Sequence, residues 1–186
     1  MKILTILGSP KKNGKTAFVL NFFEEKIKEK GIAAKRINII DYNVGGCKGC
    51  MACVQKKNEP GCVQKDDVPA LFKELIRADM IVYASPLYGW DVSSQMKTFF
   101  DRHFCLVKDY KTPEHFSLLE NKDIFTLTTC MGEKVGNTDL LSIFYDRFAG
   151  MLGCRSLKQF VVTQSFSPDF SERAEEVAQR MANEII

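Results

Sequence analysis

Four cysteines lie close together in the first third of the chain: Cys47, Cys50, Cys53 and Cys62. The first three follow the spacing C-x2-C-x2-C by which ferredoxins bind a cubane iron–sulfur cluster. Cys62 is the candidate fourth ligand, although its gap from Cys53 is longer than in ferredoxins and Val63 replaces the usual proline. Four thiolates also suit tetrahedral zinc. A third interpretation is that these thiols bind no metal, and the spacing alone leaves all three open.

A second group of residues with chemical potential is GSPKKNGKT, residues 8–16, which joins a predicted strand to a predicted helix. A helix N-terminus presents unpaired N–H groups and the positive end of the helix dipole, which favour a phosphate. The loop is not a nucleotide-triphosphatase loop, because five residues rather than four separate Gly8 from Gly14. The dinucleotide motif G-x-G-x-x-G is absent as well. These residues predict a phosphate cradle built on hydroxyls and backbone amides, or otherwise a solvated surface turn.

A third group is SPLYGW, residues 85–90, where a predicted strand ends and two aromatic rings follow. A flat conjugated ring could stack against Tyr88 and Trp90. The same two side chains could instead be core or interface aromatics. Taken with the phosphate cradle, this turn predicts a site for a ligand that carries both a phosphate and a flat ring.

The elements that would position these loops follow from hydrophobic periodicity, which predicts five strands alternating with five helices. The predicted strands are residues 1–8, 33–40, 79–86, 123–130 and 156–163. The predicted helices are residues 15–30, a helix that opens at 66–69, 93–107, 138–151 and 167–186, the last capped by Ser167 and Pro168. The cysteines fall in an irregular insertion at about residues 42–65. Such alternation predicts one α/β domain over residues 1–186, whose ligands bind at the carboxyl ends of the strands.

Composition narrows the function classes. The net charge of +3 is too small to indicate nucleic-acid binding. No apolar run approaches the roughly 20 residues that a membrane span needs, and the first residues do not resemble a signal peptide. Seven cysteines without an export signal indicate a reducing compartment, so we expect a cytoplasmic protein in which clustered thiols serve metal or redox chemistry.

Together, GSPKKNGKT, SPLYGW and KTFFDR (97–102) resemble the flavodoxin-like NAD(P)H-dependent FMN reductases, and the cysteine loop ending in CVQKDDV (62–68) resembles their iron–sulfur flavoprotein branch. The resemblance implies a flavodoxin-like three-layer sandwich, with a five-stranded parallel sheet in the order 2-1-3-4-5 and helices on both faces. A plain flavodoxin is a poorer match, because those carriers are strongly acidic.

The resemblance also implies site residues. The FMN phosphate would bind at Ser9, Lys11, Asn13, Gly14, Lys15 and Thr16. The flavin ring would lie against Pro86, Leu87, Tyr88, Gly89 and Trp90, with Thr129, Cys130, Met131 and Gly132 at its other edge. A [4Fe–4S] cluster would bind at Cys47, Cys50, Cys53 and Cys62. Structural roles in ion pairing and packing are expected for Lys97, Asp101 and Arg102, and packing or surface roles for Cys105, Cys154, His103 and His115.

The implied function is an FMN-dependent oxidoreductase that transfers electrons from NAD(P)H through the flavin to a flavin, quinone or other small acceptor. No catalytic side chain is expected, because the flavin carries the chemistry. One alternative is an iron–sulfur flavoprotein that takes electrons from ferredoxin, and another is a non-catalytic FMN-binding redox sensor. A nucleotide-phosphate enzyme, suggested by the Gly-Lys-Thr at 14–16, is the least favoured. A homodimer or homotetramer is expected.

Overall fold

A twisted parallel sheet forms the centre of the computed structural model, which describes residues 1–110 and 112–185. In chain order the strands are β1 (Ile3–Leu7), β2 (Ala34–Asn38), β3 (Met80–Tyr88), β4 (Asp91–Val92), β5 (Val107–Lys108), β6 (Phe116–Ser117), β7 (Asp123–Thr129) and β8 (Ser156–Val162). The main sheet has the order β2-β1-β3-β7-β8, and all four neighbouring pairs are parallel. This arrangement confirms the predicted order of the five long strands.

Within the described residues, five helices cover the two faces of the sheet. They are α1 (Lys15–Glu29), α2 (Val68–Arg77), α3 (Ser94–Arg102), α4 (Asp139–Met151) and α5 (Phe170–Asn183). On one face, α1 and α5 pack a cluster of apolar side chains that includes Phe23, Phe125 and Phe170. On the other face, α2, α3 and α4 enclose a second cluster that includes Phe72 and Phe99. The predicted helix–sheet–helix layers are therefore confirmed.

The hairpin after β3 corrects the prediction that this strand ends at Pro86. β3 continues to Tyr88 and pairs antiparallel with the short strand β4. Gly89 and Trp90 form the two-residue turn with φ angles of 56° and 63°. Positive φ at both positions is what a type I′ turn requires, and this turn matches the twist of the flanking strands. The sheet is consequently six-stranded, and not purely parallel.

The end of α3 and the start of α5 also differ from the prediction. α3 ends at Arg102 rather than at residue 107, and the chain continues as a 3₁₀ turn, His103–Leu106, into the β5–β6 ribbon. Strands of two residues are too short to carry a periodic signal. α5 begins at Phe170, with Asp169 rather than Ser167 at the N-cap position. The predicted end of this helix, Ile186, lies outside the described residues.

His103 lies in the core and makes two hydrogen bonds there. Its Nδ1–H donates to the Phe99 carbonyl oxygen at 2.9 Å, so its Nε2 accepts from the Tyr83 hydroxyl at 2.8 Å. Aromatic rings, including those of Phe72 and Phe100, surround the imidazole edge-on. Burial lowers the pKa of His103 to about 3. The expected packing role is confirmed, and the ring stays neutral in the folded protein.

Within the same described residues, no helix combines the length and the apolar character that crossing a bilayer requires.

Replacing His103 should change how stability depends on pH. Below about pH 6.5 the unfolded chain protonates this imidazole while the folded chain does not, so its contribution is present above that pH and is lost as pH falls toward the folded value. We expect His103→Gln to flatten the slope of unfolding free energy against pH by up to about 1.4 kcal/mol per pH unit in this window. Urea denaturation at several pH values measures the slope.

The matched control is His115→Gln, since His115 is only partly buried and bonds a single carbonyl oxygen, that of Met151. This variant shows what a change from histidine to glutamine does to the slope at a position that is not enclosed by aromatic rings of the core. A His103→Gln slope equal to that of wild type would show that the imidazole is not held neutral.

Candidate functional site

A cavity of about 720 Å³ lies at the carboxyl edge of the sheet. It is bounded by the last residues of β3 and by the loops that follow β1, β7 and β8. All four strands are parallel, so their carboxyl ends meet at the same edge. The cavity therefore lies where the alternation of strands and helices predicts a ligand site.

The loop after β1 presents the N-terminus of α1 to this cavity. Gly14 occupies the N-cap position and supplies no side-chain cap. The N–H of Phe18 bonds to the Gly14 carbonyl oxygen at 2.9 Å, and the N–H groups of the first turn before it have no partner among the residues that the structure describes. Lys11 and Lys15 line the same wall. Open N–H groups, the helix dipole and two ammonium groups make this end of α1 suitable for a phosphate.

Buried hydroxyls hold the cradle in shape. The Ser9 hydroxyl accepts the N–H of Lys11 at 3.1 Å. The Thr16 and Thr129 hydroxyls bond to each other at 2.6 Å, which ties the start of α1 to the end of β7. Each of these three residues is at least 96% buried. The shape of the cradle is therefore held by contacts within the protein.

The N-terminal end of α3 holds the loop after β1 in place through hydrogen bonds. Ser93 caps α3 by accepting the N–H of Met96 at 3.2 Å, and its hydroxyl donates to the Gly8 carbonyl oxygen. Its own N–H donates to the Ser85 hydroxyl at 3.0 Å. A Cβ on Gly8 would meet the Met96 Cβ at 2.6 Å, so only glycine permits this close approach.

Not all the predicted flavin-site residues line the cavity. Those in its wall are Ser9, Lys11, Asn13, Gly14, Lys15, Thr16, Pro86, Leu87, Tyr88, Thr129 and Met131. Gly89, Trp90, Cys130 and Gly132 lie outside it. Trp90 is 60% exposed at the hairpin tip, whereas Cys130 is buried and its thiol donates to the Gly132 carbonyl oxygen at 3.3 Å. Their contact with a cofactor remains a prediction.

Sequence reasoning missed one side of the cavity. The additional lining residues are Phe18, Ser165, Phe166, Ser167, Pro168, Phe170 and Ser171. Most belong to the connection between β8 and α5, which the sequence analysis treated only as a helix cap. The order of the elements could have identified this side, because the connection follows a parallel strand and ligands bind at the carboxyl ends of such strands.

The four clustered cysteines line a separate, small cavity of about 30 Å³. The same cavity also contacts Cys105, Phe104 and Arg102. All seven cysteines, each of which the structure describes, are free thiols. Burial raises the pKa of the Cys53 thiol and raises that of Cys105 to about 12. Cys47 and Cys62 are fifteen positions apart in the sequence, and Cys105 lies further still along the chain. The fold thus brings together thiols that are distant in sequence.

Arg102 anchors the cysteine loop to the end of α3. Its guanidinium forms a buried ion pair with Asp66 and donates to the Gly45 carbonyl oxygen at 2.7 Å and to the Cys62 sulfur at 3.1 Å. Although burial alone would raise it, the pKa of Asp66 is lowered by hydrogen bonds from Arg102 and the Gly45 N–H. Lys97 and Asp101 form an exposed ion pair on the same helix. The ion-pairing roles expected for these residues are confirmed.

A second buried cation lies beneath the cysteines. The Lys108 ammonium is 99% buried and donates to the carbonyl oxygens of Cys105 at 2.8 Å and Cys53 at 3.3 Å. Neither partner carries a charge, and burial lowers the pKa of Lys108. Two cations close to four thiols form a site that favours negative charge, which thiolate-bound iron–sulfur clusters carry.

The positions of the cysteine thiols bear on whether zinc or a [4Fe–4S] cluster could bind there. In the described part of the chain, no three histidine, cysteine or acidic side chains stand close enough together to hold one metal ion. Thiolates are the donors that both zinc and iron–sulfur clusters take. The donor type and the neighbouring cations suit a negatively charged cluster, and the binding of a cluster at these cysteines remains a prediction.

Comparison with known proteins adds three findings. A model of the protein family described as NADPH-dependent FMN reductase matches residues 1–180. The iron–sulfur flavoprotein of Archaeoglobus fulgidus is 35% identical over 102 residues, which cover 55% of this chain and 45% of that relative. The FMN-dependent NADH:quinone oxidoreductase of Pectobacterium atrosepticum is 27% identical over 169 residues, 88% of this chain and 82% of that relative.

The match thus spans about half the length of the curated iron–sulfur flavoproteins. Among solved structures, the NAD(P)H:quinone oxidoreductase from Methanothermobacter marburgensis superposes with a TM-score of 0.77 at 16% identity, covering 100% of this chain and 99% of that one. This likeness confirms the predicted flavodoxin-like fold.

Proposed function

Because the chain belongs to the NADPH-dependent FMN reductase family, we propose that it is an FMN-dependent oxidoreductase that transfers electrons from NADH or NADPH to a small acceptor. The observation that carries this proposal is the cavity at the carboxyl edge, in which an uncapped helix N-terminus lies beside an aromatic hairpin. A phosphate joined to a flat ring fits both features.

The protein's own residues would bind and orient the cofactor. The open N–H groups of the first turn of α1, with Lys11 and Lys15, would hold the FMN phosphate. Pro86, Leu87 and Tyr88 would support one side of the ring. Bound FMN would supply the centre that accepts a hydride and passes electrons on.

A quinone is our preferred acceptor class. Two similar proteins are named quinone oxidoreductases, and a flat, apolar acceptor suits the exposed rim of the cavity. Tyr88 is 52% exposed and Met131 is 70% exposed there. Large apolar side chains that stay exposed at the rim of a cavity add little to the folded core and are available to contact a ligand.

Neutralising one lysine of the cradle should weaken FMN binding through the phosphate alone. We expect Lys11→Gln to lower FMN affinity about fivefold, the equivalent of about 1 kcal/mol for an exposed ion pair. Riboflavin, which has the same ring and no phosphate, should bind wild type and variant equally. Titration calorimetry with both ligands gives the comparison.

The neighbouring Lys12 provides the control, because it pairs with Asp41 and does not line the cavity. Lys12→Gln should bind FMN like wild type.

Oxidation of NADH and NADPH with a quinone acceptor then separates an enzyme from a redox sensor, which would bind FMN with negligible turnover. A protein that binds no flavin would refute the proposal.

The cysteine cavity supports a second candidate function, that of an iron–sulfur flavoprotein. Cys47, Cys50, Cys53 and Cys62 would hold a [4Fe–4S] cluster, which would supply one-electron transfer and permit ferredoxin as a donor. The supporting observations are the cavity that these cysteines share with the buried Arg102, and the buried Lys108, whose ammonium donates to the Cys53 carbonyl oxygen. The similarity to proteins named iron–sulfur flavoproteins agrees with it.

Protein purified without air should contain about four irons and four sulfides per chain. Cys62→Ser should lose most of both, because the fourth ligand is gone, while Cys154→Ser should keep them because Cys154 lies outside the cysteine cavity. Iron, sulfide and zinc assays on the three proteins check this. Iron-free protein would reject the cluster, and one zinc without sulfide would establish the alternative.

We also propose that the protein forms a homodimer through an apolar face of α3 and α4. A groove of about 490 Å³ runs there between Phe104, Leu140, Ile143 and Phe144, and Leu140 and Ile143 are 67% and 50% exposed. Asp101 and Arg147 also line it. Opposite charges beside one apolar strip can pair across a two-fold axis, which makes a second copy the fitting partner.

A charge in the centre of this face should break the dimer. We expect Ile143→Glu to elute as a monomer in size-exclusion chromatography with light scattering, because burying an unpaired carboxylate costs several kcal/mol. Val135→Glu is the matched control, since Val135 is 84% exposed and does not line the groove. A wild-type monomer, or a dimeric Ile143→Glu variant, would place the interface elsewhere.

A further inference from the structure

A separate polar cavity, here called the α4 pocket, lies between α4 and the strands β7 and β8. It is on the face of the sheet that α4 covers, whereas α1 covers the other face. Its volume is about 180 Å³, against about 720 Å³ for the flavin cavity, and the two cavities have no lining residue in common. The α4 pocket is therefore a site of its own, and its size suits a ligand much smaller than a nucleotide.

The lining of the α4 pocket is rich in hydroxyl groups and includes one cation. No acidic side chain lines it within the described residues. Hydroxyl and ammonium groups can both donate hydrogen bonds to an anion, so this composition favours a negatively charged ligand. The hydroxyls are those of Thr126, Thr128, Thr138, Ser142 and Tyr145, and the cation is Lys134.

The carboxylates of α4 bind partners outside the pocket. The Asp139 carboxylate accepts the N–H of Gly136 at 2.6 Å, and the Asp146 carboxylate accepts from the side-chain amide of Gln159 at 2.9 Å. Neither acid belongs to the pocket lining. The Lys134 ammonium, in contrast, forms no ion pair or hydrogen bond with any residue that the structure describes. Its charge is available to a ligand.

The N-terminus of α4 faces the same pocket, because Thr138, Leu141 and Ser142 of its first turn line it. Thr138 occupies the N-cap position without capping the helix, and its hydroxyl donates to the Lys134 carbonyl oxygen at 3.2 Å. The Ser142 N–H bonds to the Thr138 carbonyl oxygen, while the N–H groups of residues 139–141 have no partner in the described part of the chain. Open N–H groups and the helix dipole favour an anion here.

A buried hydroxyl at the base of the pocket gives independent support. Thr126 is 99% buried, and its hydroxyl has no hydrogen-bond partner among the described residues. Its side chain points to the α4 face of the sheet, as does that of Ile124, because side chains alternate along a strand. The Thr128 and Tyr145 hydroxyls are 3.5 Å apart, which is long for a hydrogen bond. Buried hydroxyls are nearly always paired, so this group lacks a polar partner.

We propose that the α4 pocket binds a small oxyanion of the size and charge of inorganic phosphate. The N–H groups of residues 139–141 and the Lys134 ammonium would bind it from the helix side, and the Thr126 hydroxyl from the sheet side. The proposal does not depend on the flavin. Thr128 lines the α4 pocket and the next residue, Thr129, lines the flavin cavity, so the two sites lie on opposite faces of β7.

Titration of the isotope-labelled full chain with inorganic phosphate, followed by NMR, tests the pocket and locates the binding. Phosphate should shift the amide signals of residues 139–142 in a saturable way. Binding at the start of α1 would instead shift the signals of residues 14–17, so the two sites report separately. Sodium chloride at the same ionic strength is the blank and should leave residues 139–142 unshifted.

Two variants test the proposed contacts. We expect Lys134→Gln to weaken phosphate binding at residues 139–142 about fivefold, because it removes the cation. Thr126→Val should weaken it to a similar degree and yet unfold at the same or a higher urea concentration, because it removes an unpaired buried hydroxyl. Lys73→Gln changes an exposed lysine outside the pocket and should bind phosphate like wild type.

The proposal would be overturned if phosphate left residues 139–142 unshifted, or if both pocket variants bound it like wild type. Phosphate binding at residues 14–17 alone would also overturn it, while supporting the cradle of the flavin site. Failure to bind FMN would refute the proposed function, and the signals of residues 139–142 would still decide the α4 pocket.

Discussion

The uncapped N-terminus of α1 is the constraint on which the flavin site depends. A helix usually satisfies one of its first N–H groups with a side chain at the N-cap, and glycine in place of serine, threonine or aspartate there costs on the order of a few tenths of a kcal/mol. Gly14 supplies no such side chain. The surrounding structure compensates, because Thr16 and Thr129 lock the first turn to β7, and Ser93 fixes Gly8. These contacts hold the first turn of α1 in place while its N–H groups stay free to bind an anion.

The buried pair of Arg102 and Asp66 plays a comparable part at the cysteine loop. Replacing a buried ion pair by apolar residues is often neutral or stabilising, so such a pair is weak grounds for a purely stabilising role. What the pair does here is positional. It fastens residues 45, 62 and 66 of an otherwise irregular loop to the last residue of α3, and it directs one guanidinium N–H at Cys62. The loop has few buried apolar side chains of its own, so this contact determines where its thiols lie.

Much of the fold was predictable from the sequence because long parallel strands, buried on both faces, read as continuous apolar runs. β1 and β7 are almost wholly buried, and both were predicted within two residues of their ends. The β3–β4 hairpin was not foreseen, because its turn places Trp90 at positive φ where the turn rules favour glycine or asparagine. The cradle at residues 9–16 is local in sequence and was predicted as a unit. The β8–α5 wall and the contact of Lys108 with the cysteine loop depend on residues far apart in the chain, and no spacing rule reports them.

α3 connects the two candidate sites and relates both to the apolar face. Its N-cap residue, Ser93, holds the loop of the flavin cavity, and its last residue, Arg102, holds Cys62. The nine residues of α3 span only about 13 Å at 1.5 Å per residue. Phe104, just beyond, lines both the cysteine cavity and the groove between α3 and α4. A second copy seated on that groove would therefore cover the side of the cysteine cavity that Phe104 forms, excluding water from the thiols and bringing them toward the neighbouring subunit. Oligomerisation and metal retention would then be coupled through the Phe104 ring, because dissociation of the second copy would expose the cysteine cavity to solvent.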